Sequence, residues 1–350
     1  MTQEIEKNQK LSRRSVVKIA FSLAAASGLA LLLKNTSQKP PAESLSLRAN
    51  PTGRPAIPTT RNTAIPSQEY HEPSVDSFRT QRPESTQAAE SAELQRLVER
   101  YGPALIIPAF EYHGDNYSMY DGCYDMNPLT FRQQMEWLKN HDFHAVSGPE
   151  LVGFLDGSFQ LPARSVILTT DSGNTSTSSI PRMLDVLEKY GMHFHTFIWT
   201  HKMEAGETID CRNDVCWGVF REAAESGLFT IGSHSESHSD FSQMTAQQGI
   251  EDILTSKREI KERLGVEVYS ISWPFESCPD WANQLKNYGF SCAFGGHSAP
   301  ILECQVRFGD SDSLRWNLPR LLPPNTNGVS GRPSGKTLEE IMWENTTPSQ

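Results

Sequence analysis

Apolar and polar positions along the middle of the chain switch between two periods, and the switches mark out alternating strands and helices. A helical pattern runs from Ala88 to Tyr101, and Ala104–Phe110 reads as a buried strand. Leu129–Asn140 places Phe131, Met135 and Leu138 at helical spacing, Phe143–Val146 is a short strand, and Pro149–Leu155 is a helical turn. Ser165–Thr170 predicts a strand, Ile180–Tyr190 an amphipathic helix (Met183, Leu184, Leu187), and Phe194–Thr200 a strand. Val219–Ser226, Thr245–Leu264 and Trp281–Tyr288 follow as helices, with strands at Leu228–Ile231, Glu267–Ile271 and Cys292–Phe294 between and after them. Alternating units of this length predict an α/β fold with a parallel sheet, most simply closed as a (β/α) barrel. Chemistry in such barrels sits at the C-terminal ends of the strands.

The flanks lack this pattern. Residues 35–87 are rich in Pro, Ser, Thr, Arg and Gln and predict a disordered spacer; residues 328–350 are polar and predict a loose tail. The chain therefore divides into 1–34, the spacer 35–87, one barrel-sized domain over 88–327, and the tail. Ser12–Arg13–Arg14–Ser15–Val16–Val17–Lys18 resembles a twin-arginine export motif, and an apolar run from Ile19 to Leu33 follows it. The run is at the short end for a bilayer span, and no good small-x-small cleavage site follows, so an uncleaved membrane tether stays open beside a cleaved signal. The expected location is periplasmic or at the cell surface.

A net charge of −10 excludes a general nucleic-acid binder, and the absence of a Walker A loop or a G-x-G-x-x-G run argues against nucleotide cofactors. Six cysteines in an exported chain predict structural disulfides, with Cys211 and Cys216 a candidate local pair.

The candidate chemistry clusters at two strand ends. Ile231–Gly232–Ser233–His234–Ser235–Glu236–Ser237–His238 puts two imidazoles four residues apart, a spacing that can bring both to one metal ion and that also suits two surface histidines beside a serine-rich turn. Val166–Ile167–Leu168–Thr169–Thr170–Asp171–Ser172–Gly173 ends a second apolar strand in a carboxylate and a glycine. Two His and one Asp on separate strand ends make up a metal-hydrolase set; Asp171 alone also suits a turn cap. His193 and His195 share one face of their strand, and His201 lies just beyond it.

With these residues in view, the chain resembles the polysaccharide deacetylase family, the carbohydrate esterases with a NodB-homology domain. The resemblance spans about Ala104 to Pro323. It rests on Glu111–Tyr112–His113–Gly114, on Thr169–Thr170–Asp171–Ser172–Gly173 against the family's Thr-Phe-Asp-Asp-Gly, and on Ser233–His234 to His238 against Ser-His-x-x-x-His. Trp273–Pro274–Phe275 and Tyr288–Gly289–Phe290 complete it. It implies a distorted (β/α)7 barrel and metal-dependent removal of N-acetyl or O-acetyl groups from an envelope or extracellular polysaccharide. By this resemblance Asp171 is the general base, and His234 and His238 bind a divalent cation: zinc, with cobalt or nickel as alternatives.

The sequence departs from the family at Ser172, which stands where the family has its metal-binding aspartate. A neutral hydroxyl is a poorer ligand than a carboxylate. This keeps open a second reading, a deacetylase-like protein that binds glycan without turning it over. Glu236 and Asp240 are candidate substitute carboxylates. The family's base-orienting arginine is not evident near Trp273. Its late histidine lies in a Leu-x-His setting that His297 does not match, yet His297 is the candidate acid for the leaving amine. Trp273, Pro274, Phe275 and Trp199 are candidates for the wall that meets the sugar, or for core packing, and His113 for a residue lining the site.

Overall fold

The computed structural model describes residues 84–112, 127–172, 176–201, 215–296, 305–307, 312–324 and 337–346. Strands β1 (Ile106–Tyr112), β3 (Ser165–Ser172), β4 (Phe194–Ile198), β5 (Phe229–Ser233), β6 (Ser270–Ser272) and β7 (Cys292–Phe294) run parallel, in the spatial order β7-β6-β5-β4-β3-β1. Short β2 (His144–Ala145) lies beside the first residues of β3. The last strand, β8 (Gln305–Arg307), pairs antiparallel with Ile106–Pro108. The sequence pattern does not show β8, because Gln305–Val306–Arg307 offers a single apolar residue between two polar ones.

The strands are apolar on both faces because both faces are covered. One set of side chains, Ile107, Ala109, Ile167, Phe197, Phe294 and Leu318 among them, fills the concave interior of the curled sheet. The alternate set, including Phe110, Leu168, Phe194, Ile198, Ile231, Ile271 and Ala293, meets the helices outside. Gly232 lies on the interior face, where a Cβ would stand 2.4 Å from the Phe197 ring, so the close approach there requires glycine.

The helices form where caps and apolar stripes coincide. They are α1 (Glu84–Tyr101), α2 (Pro128–Asn140), α3 (Gly148–Asp156), α4 (Ser176–Tyr190), α5 (Val215–Glu225), α6 (Ala246–Leu264), α7 (Asp312–Arg315) and α8 (Leu338–Thr346). Asn127 caps α2 ahead of Pro128, and capping boxes Ser147/Glu150 and Thr245/Gln248 open α3 and α6. Gly157 and Gly265, both left-handed, close α3 and α6.

Several boundaries differ from the sequence reading, among them the strand read at Glu267–Ile271, which is β6 at Ser270–Ser272. The first helix starts at Glu84, inside the stretch read as spacer. The tail read as loose contains α8, whose Leu338, Ile341 and Met342 are buried at i, i+3, i+4 spacing in the outer apolar layer. The stretch Trp281–Tyr288 is a 3-10 helix over Ala282–Tyr288.

An extended segment after α7 spans the gap between β7 and β1. Leu318 bridges Phe294 and Leu321 bridges Phe110, both in the parallel sense. The amide of Leu318 donates to Ala293 and that of Leu321 to Ala109. Leu318 faces the interior, and by strand alternation Arg320 faces it too, one layer nearer the mouth.

Cys278 and Cys292 are free thiols rather than halves of disulfides, and burial pushes the Cys292 thiol up to about 12. Cys123, Cys211 and Cys304 lie outside the described residues, and so does the side chain of Cys216, whose backbone is in α5. Among the described residues no helix is long and apolar enough to cross a membrane; the apolar run Ile19–Leu33 is not among them.

Candidate active site

The interior face ends at the strand C-termini in a polar layer built by alternation. Glu111 follows Ala109 on β1, Asp171 follows Thr169 on β3, and Ser272 follows Ser270 on β6. His234 follows Gly232 just past the end of β5. Its amide still donates to Ile198 at 2.8 Å, so the residue keeps its interior orientation.

Asp171 is 5% exposed and held at both carboxylate oxygens. Arg320 grips it with two hydrogen bonds, Nη1 to Oδ1 at 2.8 Å and Nη2 to Oδ2 at 3.0 Å, and the Ser272 hydroxyl donates to Oδ2 at 2.9 Å. Arg320 also meets Glu111 at 3.0 Å and donates through Nε to the Gly295 carbonyl at 2.7 Å. A fork-on-carboxylate pair of this kind fixes direction as well as charge. Burial opposes the Arg320 charge, but Asp171 and Glu111 outweigh it and raise its pKa above the ordinary arginine value.

The His234 ring is also fixed. Nδ1 lies 2.9 Å from the Ser272 carbonyl, which can only accept, so Nδ1 carries the proton and Nε2 presents its lone pair. Among the described residues Nε2 has no hydrogen-bond partner. Burial pushes the ring down to about 4, against the pull of Asp171, and it is neutral at pH 7.

His238 is half-buried, with its ring centre 4.8 Å from that of His234 and nearly edge-on to it. Trp199 lies 4.5 Å from the His238 ring on one side and Phe275 4.7 Å on another. Trp199 is itself tied by its Nε1–H to the Glu236 carbonyl at 2.9 Å. Phe275 is 68% exposed and holds a left-handed φ of 55°, a conformation bulky side chains rarely adopt.

The other candidates fall elsewhere. Trp273, a candidate for the sugar wall, is 1% exposed: it packs against Phe241 and Trp281, and its Nε1–H donates to the Trp316 carbonyl. Its size and the apolar layer behind β6 draw it into the core. Pro274 is buried beside it. Asp240 is exposed and caps the short 3-10 turn at Phe241–Gln243. Glu236 stands 3.5 Å from His201, and His195 is buried lower on the interior face, bonded to the Val146 carbonyl. Ser172 ends β3 opposite Ile198, but its side chain lies outside the described residues, as do His113 and His297. Glu111, Ser272 and Arg320 were not read as site residues from the sequence.

Among the described residues no group of three or more His, Cys, Asp and Glu side chains is arranged to hold a metal ion. The imidazole pair alone suits one. At Zn–N distances of about 2.0–2.1 Å, two imidazoles on one tetrahedral ion place their ring centres about 5 Å apart. The observed 4.8 Å agrees, and His234 already presents a neutral, unbonded nitrogen.

This geometry coincides with a family signature. Residues 160–293 match the polysaccharide deacetylase family. That segment carries Asp171, His234, His238 and Ser272, whereas Glu111 and Arg320 lie outside it. The fold is shared with a polysaccharide deacetylase of Bacillus cereus, at 17% identity and a TM-score of 0.54 over 70% of each chain. It is also shared with a Streptococcus pyogenes deacetylase solved with acetate, at 18% identity and 0.54 over 70% of this chain and 100% of that one. A de-N-acetylase of Aggregatibacter actinomycetemcomitans aligns at 19% identity and 0.51 over 65% of this chain and 98% of that one. No curated protein matches the chain.

Proposed function

We propose that this protein is a hydrolase that removes acetyl groups from a polysaccharide, with Asp171 as general base and His234 and His238 holding a divalent cation. The observation that carries this reading is the convergence of Asp171 and His234 on Ser272: the serine hydroxyl bonds the carboxylate and its carbonyl fixes the imidazole. Zinc, or cobalt or nickel, bound by the two imidazoles would polarise the acetyl carbonyl and acidify a water; Ser172 and solvent would complete its shell. Asp171 takes the proton of the attacking water. Arg320 and Ser272 hold that carboxylate from both oxygens and fix its direction. Trp199 and Phe275 offer apolar surface beside His238 on which a sugar face stacks. His297 is the candidate donor of the proton to the leaving amine. The similarity to a protein titled de-N-acetylase supports the N-acetyl linkage. The Arg13–Arg14 motif, the apolar run and the spacer support export to a periplasmic or cell-surface location with a membrane tether.

A second reading has one observation in its favour. Ser172 replaces a carboxylate, and the described residues offer the cation two imidazoles and no third ligand of the usual kind. In that reading the cleft binds acetylated glycan without cleaving it.

Acetate release by the full chain from a panel of N- and O-acetylated oligosaccharides separates the two. The hydrolase reading predicts slow release, abolished by a chelator and restored by zinc, and a rise of about tenfold or more in Ser172→Asp as the anionic ligand returns. Oligosaccharide binding without release, in both wild type and Ser172→Asp, overturns it.

A further inference from the structure

The five residues from His234 to His238 leave the sheet along a path that L-residues resist. Ser235 has φ 70° and His238 has φ 54°. Such a path persists only where its surroundings over-determine it. The Ser235 amide donates to the Ser233 hydroxyl at 3.0 Å and the His238 amide to the Ser235 hydroxyl at 2.8 Å, both within the loop and its root. The other two amides between the histidines are held from outside. Glu236 N–H donates to Asp252 Oδ1 at 2.9 Å and Ser237 N–H to Asp252 Oδ2 at 3.1 Å.

Asp252 sits at a costly position for an acid. It is 8% exposed on the sheet-facing side of α6, in a buried stripe with Gly249, Ile250, Ile253, Ser256, Lys257 and Ile260, of which Lys257 sends its ammonium to the Tyr288 and Gly289 carbonyls. Among the described residues no cation faces it, and its partners are those two amides. A buried carboxylate without a counter-charge is stable only where N–H groups converge on it. Here the converging groups belong to the two residues that set the offset from His234 to His238. His234 is tied separately, to the Ser272 carbonyl. On the loop's other side, Thr200 N–H donates to the Ser235 carbonyl, and Trp199 and His201 donate to the Glu236 carbonyl.

We infer that Asp252 is a positioning residue: it holds the Glu236–Ser237 step so that the His238 ring stands between Trp199 and Phe275, facing His234. The inference rests on the role proposed for the histidine pair but is testable apart from it. Asp252→Asn keeps the shape and turns one acceptor into a donor that confronts an amide N–H. In full-length protein labelled at histidine, the His238 ring resonances carry ring-current shifts from Trp199 and Phe275. The variant loses at least half of that displacement while the His234 resonances stay in place, and its zinc affinity falls about 10- to 100-fold. Asp252→Glu, which retains both acceptors, recovers part of the shift. Asp240→Asn, at an exposed acid on the neighbouring 3-10 turn, leaves it unchanged.

His238 resonances in Asp252→Asn that coincide with the wild type overturn the inference. So does an equal displacement of His234 and His238 with a collapsed melting temperature, which would make Asp252 a general support of the fold. If the wild type binds no zinc, the cation reading fails, and the resonances still decide the role of Asp252.

Discussion

Replacing Arg320 with leucine destabilises the protein by about 3–5 kcal/mol, the usual cost of removing one partner from a buried ion pair. The guanidinium is the group that Asp171 and Glu111 share, and all three side chains are almost wholly buried. Without it, Asp171 and Glu111 lose the cation they share in a buried layer, and one must take up a proton or draw in water. The Gly295 carbonyl loses its donor at the same step. Urea unfolding of the wild type, Arg320→Leu, Asp171→Asn and the double variant measures this directly. The double variant costs less than the sum of the singles, with a coupling above about 1 kcal/mol. Additive losses would mean that the pair contributes no interaction of its own.

Asp171→Asn lowers acetate release by about 10²- to 10⁴-fold with KM changed only a few-fold, the range for loss of a general base. The amide is isosteric and still accepts one bond from Arg320, but it cannot take the proton of the attacking water. The steady-state split between kcat and KM distinguishes this from a binding defect. A variant within tenfold of the wild type in kcat assigns the base to another group.

The strand and helix alternation was legible because the longer elements repeat their apolar period over enough residues to stand out, from Ala104–Phe110 to Thr245–Leu264, and short apolar runs such as Cys292–Phe294 fall between them. Asp171 and His234 were legible because strand ends in such a barrel point at one mouth; their meeting through Ser272 is a matter of sheet register. Arg320 was not legible. It lies 149 positions from Asp171, and no local period marks a segment that crosses one gap in a barrel. One signal was present: Leu318–Pro319–Arg320 has the form of the Leu-x-His setting with arginine in the histidine's place. Trp273 shows the opposite difficulty. An indole after a strand suits a sugar wall and a core equally, and only the packing of Phe241 and Trp281 around it decides. The tail helix was hidden by its polar surroundings, although Leu338, Ile341 and Met342 already carried a helical stripe.

The most direct test of the central claim is to count zinc on the full-length chain after equilibrium dialysis, in the wild type and in His234→Ala and His238→Ala. The site described here predicts about one ion per wild-type chain and none on either variant, with the fold of each confirmed by circular dichroism. A wild type that holds no zinc, cobalt or nickel, or an ion that persists in both variants, would contradict it.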